Sequence, residues 1–561
     1  MAWCAGYAIA AVVLYFCYRR LSGTQSVTAD SSSIALQAWD MLHGNLLLHG
    51  WTVTDVSFWA TELPEYMLVE LIRGLSASDV HVAAALTYTL LTLLASLLAK
   101  GRATGADGLT RALIAAGIMI APQLGGGTLL LLLGADHTGT GVPLMVTWLA
   151  LDRAPRRWFT PPLIGLLLLW GLLGDPVVEL LGVLPLALVC AIRLYRGIVR
   201  DREPLRQSSP GGATPRTPRS QPDGEANISG WLKLWWFELS LVGAAVVAFA
   251  LNDLVVKLIA ALGGFRVLPV NLRFAGATEM SGNLWRALDG VLTLYGADFF
   301  GKSWHASVLF QVVHVTGFAL AVAAVWIAVR RFPWTAGPGA DDLAAGDLAD
   351  GGRGAGDRPA RDLVTGVLVT GIGVNLAVFV FTTMPVSVWS AREIAGVLPA
   401  GAVLAGRLLA GPVLRARLYP LLAVAGMVYL IGLGTTMTAA QLPTEGQGLA
   451  DWLVAHHLTN GLTGYGYGPS ATLASGGRVE LRQASFSPGR AAPGPEEYDL
   501  NWYDPSAHDA SFLVLAARPG PFAQLTPAQA RGIFGPPAHV YRVSGGFVVW
   551  TYRTNLLTRV R

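Results

Sequence analysis

Asp30 stands alone in "VTADSSSIALQ", an acid followed by three serines at the end of the first apolar segment. A lone carboxylate at that place does one of two things. It caps the N-terminus of the helix that Ile34, Leu36, Ala38, Trp39, Met41 and Leu42 outline, or it accepts a proton at the membrane edge. A carboxylate beside apolar surface is the better base, because desolvation moves its pKa toward neutrality. The second chemically suggestive pair is Arg392-Glu393 in "VWSAREIAGVLP". An arginine beside a membrane helix is stable against an anion or snorkelled to the interface, and it grips phosphate bidentately. Glu393 is its nearest alternative partner. Arg266, Arg273 and Lys302 are weaker cationic candidates.

Further acids and a histidine lie in short glycine-rich loops. "GADHTGTG" carries Asp136 and His137, "GDPVVE" carries Asp175, and "WATELPEY" carries Glu62. Each reads either as lining of a substrate pocket or as a turn built from Gly, Asp and Pro. Asp136, His137 and Asp175 make an incomplete ligand set, so neither a metal nor any other cofactor is assigned. Cys4, Cys17 and Cys190 fall in apolar segments without CxxC spacing and read as small buried hydrophobes.

What must position these residues is a membrane-embedded helical scaffold. Of 561 residues 53% are hydrophobic and 14% charged, against roughly a quarter charged in a soluble domain. No Lys/Arg run alternates with aromatics, which argues against nucleic acid. The N-terminus lacks a basic leader region and a small-residue cleavage site, so it reads as a retained first helix. Apolar segments near 2–18, 79–99, 111–133, 138–151, 160–174, 177–195, 234–260, 307–329, 363–384, 393–410 and 418–437 give about eleven spans. Pro122 and Gly125–Gly127 should break the third.

Every second loop is basic: Lys100/Arg102/Arg111, Arg153/Arg156/Arg157, Arg193/Arg196/Arg200/Arg202, Arg330/Arg331 and Arg415/Arg417. Those loops are read as cytoplasmic, which places the N-terminus inside and the C-terminus outside. The Pro- and Gly-rich stretches 202–229 and 337–362 are cytoplasmic linkers with too little apolar content to fold. All the candidate residues named above gather in outer loops, among them 21–78. Residues 438–561 read as an outer α+β domain: "EGQGLADWLVAHHL" has helical spacing, while "GRVELRQASF", "ASFLVLAA", "AHVYRVSGG" and "FVVWTYRTNLL" have strand patterning. Tyr465, Tyr467, Trp502 and Tyr503 there are either sugar-stacking aromatics or core.

An Asp shortly after span one, a juxtamembrane helix ending in Gly44-Asn45, and "ELPEY" leading into span two together resemble the GT-C superfamily of membrane glycosyltransferases. The resemblance is best over residues 1–200, and it extends to the plan of eleven spans in a module of residues 1–437 with an outer C-terminal domain. It implies an inverting enzyme that moves a sugar from a polyprenyl-phosphate donor to a glycan, lipid or protein acceptor of the cell envelope. By the resemblance Asp30 is the general base, and a phosphate leaves; Arg392, an outer-side arginine beside a membrane helix, is the best candidate to stabilise that phosphate. The acidic pair familiar in that superfamily is absent, since Ser31 follows Asp30. The Ala-, Gly-, Leu- and Arg-rich composition suits a GC-rich bacterial genome, such as an actinobacterial one. The rival classes are a transporter or flippase, expected to show inverted repeats and mid-span charges, and a non-catalytic envelope assembly protein. No internal repeat is visible, and the charges near mid-span are Glu238, Asp253 and Lys257.

Overall fold

The computed structural model describes residues 2–120, 127–202, 228–269, 272–298, 306–331, 363–410, 412–464, 466–516 and 525–561. The linker 337–362, most of 202–229, Pro122, Gly125, Gly126, Lys302 and Tyr465 lie outside them. The helices in the first half are α1 (Ala2–Ser22), α2 (Ala29–Leu42), α3 (Glu62–Arg73), α4 (Ser78–Lys100), α5 (Gly105–Ile120), α6 (Gly127–Leu131), α7 (Gly141–Arg153), α8 (Thr160–Leu172) and α9 (Leu184–Arg202). They continue as α10 (Ile228–Ala261), α11 (Ala277–Leu294), α12 (Ala306–Arg331), α13 (Leu363–Phe381), α14 (Val397–Leu409) and α15 (Pro412–Thr436). Among the described residues each of the apolar segments identified in the sequence is largely helical. Among the described residues seven helices are long and apolar enough to cross a membrane. The helices α7, α8 and α14 have 13 residues each, too few for a bilayer core without help from the loops beside them.

Helix α4 is the hub. In its central window 72% of residues are buried, against 17% for α10 and α15, so the last two offer apolar faces to lipid. It packs on α1, α5, α7 and α14. At the basic end, Arg407 of α14 donates to Asp152 (2.7 Å) and to the Leu98 carbonyl (3.0 Å), and both charged side chains are buried. That pair fixes α14, α7 and α4 relative to one another. Glu238, read as a mid-span charge, faces Arg156 and Arg193 at 3.8 and 4.0 Å; Asp253 and Lys257 form an exposed pair one turn apart.

At the opposite end, the last 120 or so residues form a layer of α16 (Gln447–Ala455), α17 (Gly468–Ala474) and α18 (Pro527–Phe534) on a six-stranded sheet. The strands are β3 (Asn460–Thr463), β4 (Glu480–Ser487), β5 (Arg490–Pro493), β7 (Phe512–Ala516), β8 (His539–Val543) and β9 (Phe547–Thr551), in the order β5-β4-β3-β7-β9-β8. The central trio is parallel and the flanking pairs antiparallel. A second, three-stranded sheet welds this layer to the membrane module: β1 (Trp51–Val53) pairs in parallel with β2 (Arg266–Val267) and antiparallel with β6 (Tyr498–Asp499). Trp502 packs edge-on against Trp51 at 5.0 Å, and Tyr503 is buried and donates to the Gln483 carbonyl. Tyr467 packs on Phe547 at 5.1 Å. These aromatics are core and seam.

Helix α2 differs from the interfacial helix its periodicity suggests. Ser31, Ser32, Ser33, Ile34, Ala35, Gln37 and Ala38 are all buried, between α3 and α17. Its run of small residues lets the C-terminal layer approach closely. At its end Gly44 takes φ 105°, the positive value expected of a glycine terminator. Asp40 accepts from Asn45 Nδ2 and Trp51 Nε1 at 2.7 and 2.8 Å, so it serves the loop's architecture.

Candidate functional site

Three loops at the C-terminal-layer end converge. The first joins α6 to α7 and carries Asp136, His137 and Thr140. The second, after α8, carries Asp175. The third is a 3-10 helix, Val388–Ile394, opened by Ser387, whose hydroxyl accepts from the Trp389 amide; it carries Arg392 and Glu393. Asp175 is buried and fully engaged. Its Oδ1 accepts from the Val177 amide (2.8 Å), and its Oδ2 accepts from Thr140 Oγ1 (2.5 Å) and lies 2.9 Å from His137 Nδ1. His137 Nε2 faces Glu393 Oε1 at 3.5 Å. The imidazole is thus clamped between two carboxylates.

Its charge state follows. Burial alone would push the imidazole down, but Glu393, Asp175 and Asp136 together outweigh it and hold His137 up at about 10. Asp175 shows the converse: burial acts to raise it, yet the His137 charge and its hydrogen bonds keep it below the ordinary carboxylate range. Glu393 is raised, chiefly by burial. His137 is therefore a cation at neutral pH and is not available as a general base there.

Arg392 turns away from its neighbour Glu393. Its Nη1 donates to Asp136 Oδ2 at 3.3 Å, and its guanidinium lies over the Trp389 ring at 4.8 Å. With His137, Thr138 and Thr140 it borders a recess whose other wall is Leu91, Leu131, Leu181 and Leu398. The recess is narrow, with a cavity volume of about 10 Å³. Two cations on one wall and apolar side chains on the other suit an amphiphile with an anionic head.

Glu62 closes the cluster from α3. It is buried, which raises its carboxyl well above the usual range, and Thr61 donates to it. It fits only because residue 139 is glycine: a Cβ there would sit 2.3 Å from Glu62 Oε1. Phe58 and His137 both adopt left-handed backbone (φ 51° and 50°) and meet edge to face at 5.6 Å. Two strained non-glycine residues in contact are a mark of a site held by its surroundings.

Asp30 is exposed, in the first turn of α2. The cap position is Thr28, with no side-chain cap bond. Asp30 stands next to the cluster through its neighbour Ser31: a Cβ on Gly134 would meet Ser31 Oγ at 2.7 Å and Asp136 Oδ1 at 2.9 Å. Two further acids share its field, Glu445 and Glu497, each raised by burial and by the Asp30 charge. Sequence reading overlooked both, along with Thr61 and Thr140. Thr140 was findable, since "HTGTG" places a hydroxyl one turn from the histidine. Arg273 pairs with Glu279 at 3.3 Å in an exposed position, and Arg266 lies exposed in β2, apart from the three convergent loops. Among the described residues no group of three or more His, Cys, Asp or Glu is arranged to hold a metal ion.

Comparison with solved structures finds the crystal structure of ArnT from Cupriavidus metallidurans bound to undecaprenyl phosphate. It is 12% identical over 99% of each chain, with a TM-score of 0.48. The same protein in the apo state is 13% identical over 98% of this chain and 97% of that one, with a TM-score of 0.41. No family model matches the chain, and no curated protein does.

Proposed function

We propose that the chain is an integral-membrane glycosyltransferase of the GT-C type that uses a polyprenyl-phosphate sugar. The observation that carries this reading is Arg392 on the wall of the apolar recess, hydrogen-bonded to Asp136 and lying over Trp389. The donor's phosphate binds Arg392, with the His137 cation as a second positive neighbour, and its prenyl chain runs along the leucine wall. Asp30 takes the proton of an acceptor hydroxyl. The hydroxyl oxygen attacks the anomeric carbon from the face opposite the phosphate, the C–O bond to phosphate breaks, and polyprenyl phosphate leaves with the electron pair. The configuration inverts. Arg392 neutralises the charge that grows on the leaving oxygen, where a preorganised cation lowers the barrier most. Asp136, Asp175, Glu62 and Glu393 set the two cations and the sugar pocket in place.

The acceptor is a glycan, lipid or protein of the cell envelope on the outer face. The N-terminus is cytoplasmic, the C-terminal layer extracytoplasmic, and the protein sits in the cell membrane of a bacterium. The test is transfer from a panel of radiolabelled polyprenyl-phosphate sugars to a cell-envelope extract, with wild type compared against Asp30→Asn. Loss of about two to four orders of magnitude is expected of a missing general base. Full transfer by Asp30→Asn removes Asp30 from the role, and no transfer by wild type across the panel removes the glycosyltransferase reading.

A further inference from the structure

The end of the bundle opposite the C-terminal layer holds a buried polar gap between α9 and α10. Arg193 and Gly197 stand one turn apart on α9 and face Glu238 and Trp235, one turn apart on α10. Arg193 Nη1 lies 4.0 Å from Glu238 Oε1, and a Cβ on Gly197 would meet the Trp235 ring at 2.2 Å. Arg156 joins them from the α7–α8 loop. Its Nη2 lies 3.8 Å from the same Glu238 oxygen, and its guanidinium 5.4 Å from the centre of the Phe237 ring. The loop is therefore level with Glu238. Both helices run on past it, α9 to Arg202 and α10 from Ile228, so loop and overhang together make a notch.

Glu238 and Trp235 are each 1% exposed. Among the described residues neither Glu238 oxygen has a hydrogen-bond partner, and neither does Trp235 Nε1. The two arginines stand too far from the carboxylate for hydrogen bonds and are held to it by charge. Buried polar atoms are nearly always satisfied. Two acceptors and one donor on one helix face call for a group that both donates and accepts, as a hydroxyl does. The surroundings are positive: Arg153, Arg156 and Arg157 are exposed, while the nearby Asp152 is engaged by Arg407. Trp158, Tyr195 and Trp236, on the same loop and helices, are exposed too, and such aromatics sit at headgroup level. Cations in a notch between membrane helices, flanked by these rings, suit an anionic lipid headgroup.

We propose that this notch binds an anionic phospholipid whose headgroup carries hydroxyls, the chemistry of a phosphatidylglycerol. The phosphate rests on Arg156 and Arg157, where guanidinium groups grip it. Arg156 has a side chain 45% exposed, and it turns outward from Glu238 to the phosphate. A headgroup hydroxyl takes its place between Glu238 and Trp235, and the acyl chains lie against Leu163 and Leu166, exposed on α8. The lipid comes from the leaflet at this end, the inner one on the orientation proposed above. The site is remote from the three convergent loops and rests on the membrane embedding of the chain, not on the transferase reading.

The test titrates the full-length protein in detergent with single lipids and counts bound lipid by native mass spectrometry. The probes are phosphatidylglycerol, phosphatidylmethanol (the same charge without headgroup hydroxyls), zwitterionic phosphatidylcholine and soluble glycerol phosphate. Wild type should prefer phosphatidylglycerol about tenfold over phosphatidylcholine and about fivefold over phosphatidylmethanol, and should leave glycerol phosphate unbound. The double variant Arg156→Ala/Arg157→Ala should bind phosphatidylglycerol no better than phosphatidylcholine. Arg157→Ala alone changes an exposed side chain, which guards against misfolding, and should lose part of the preference. Trp235→Phe keeps an aromatic ring without the N–H donor and should bring phosphatidylglycerol down to phosphatidylmethanol. Equal wild-type binding of phosphatidylglycerol and phosphatidylcholine overturns the site, as does an unchanged preference in the folded arginine variants. Equal wild-type binding of phosphatidylglycerol and phosphatidylmethanol overturns the hydroxylated class. Glycerol phosphate bound as tightly as phosphatidylglycerol assigns the notch to a free anion and overturns the lipid.

Discussion

His137 Nδ1 lies 2.9 Å from Asp175 Oδ2 in a position where the aspartate is fully buried and the histidine 13% exposed. The histidine's pKa is raised from 6.5 to about 10, so its contribution to stability is complete below its unfolded value and disappears as pH rises through about 10. The aspartate's is depressed, so its contribution is present above its ordinary value of 3.8 and disappears as pH falls through the lower folded one. Between those limits the pair is intact. Asp175→Asn leaves a buried imidazolium with Glu393 and the charge of Asp136, and removing one partner of such a pair costs about 3–5 kcal/mol. Thermal unfolding in detergent at pH 7 should show a clearly lower midpoint for Asp175→Asn. Coincident curves would contradict the pairing.

Arg392 is expected to resist its nominally conservative replacement. Arg392→Lys keeps the charge but loses the planar fork and the stack on Trp389, so kcat/KM for the donor should fall about tenfold, or about 1.4 kcal/mol of transition-state stabilisation. Arg392→Ala should lose about a hundredfold. Equal activity of the lysine variant, from rates at subsaturating donor, would show that a point charge suffices.

Gly139→Ala offers a steric test. The new Cβ would stand 2.3 Å from Glu62 Oε1, displacing a buried acid or the loop that presents His137. A loss of about 1–3 kcal/mol is expected from such overpacking. Gly373→Ala is the paired control: this helical residue of α13 has nothing within 4 Å of its would-be Cβ. There the change should be neutral or stabilising by up to about 1 kcal/mol. Parallel melting curves of the two variants would show that residue 139 is not tightly packed.

Gly50→Ala should loosen the seam between the two layers. Residue 50 has φ 90°, and a Cβ there would approach Asp499 Oδ1 to 2.2 Å and Asn501 Nδ2 to 2.3 Å. The Leu500 amide also bonds to the Gly50 carbonyl at 2.9 Å. Limited proteolysis should cut the variant faster than wild type between α15 and α16, the stretch that links the layers. Unchanged cleavage would mean that the three-stranded sheet does not hold them together.

Much of the scaffold could be read from the chain because its signals are local. Runs of apolar residues, alternating strands in "FVVWTYR" and Gly44 at a helix end each need only near neighbours. The residues of the cluster were visible for the same reason, as polar residues at helix ends. Their partners were not. Arg392 and Glu393 adjoin in sequence, yet one faces Asp136 and the other His137, because a 3-10 turn points successive side chains apart. Glu497 carried no signal at all. It follows another acid in an apparent surface loop, and its burial depends on α2, whose own burial comes from a layer more than 400 residues later. Periodicity showed that α2 has an apolar face but not what covers the polar one.

The three-stranded sheet that joins Trp51–Val53, Arg266–Val267 and Tyr498–Asp499 makes the order of synthesis matter. The chain is made from its N-terminus, so β1 emerges early and waits with one edge free until β6 is translated. Glu497 arrives in the same step. A ribosome-bound or prematurely terminated chain can insert its helices, cluster His137 with Asp175 and still lack the segment that closes over α2. The layer that covers α2 is therefore joined to the membrane module only once nearly the whole polypeptide has been built.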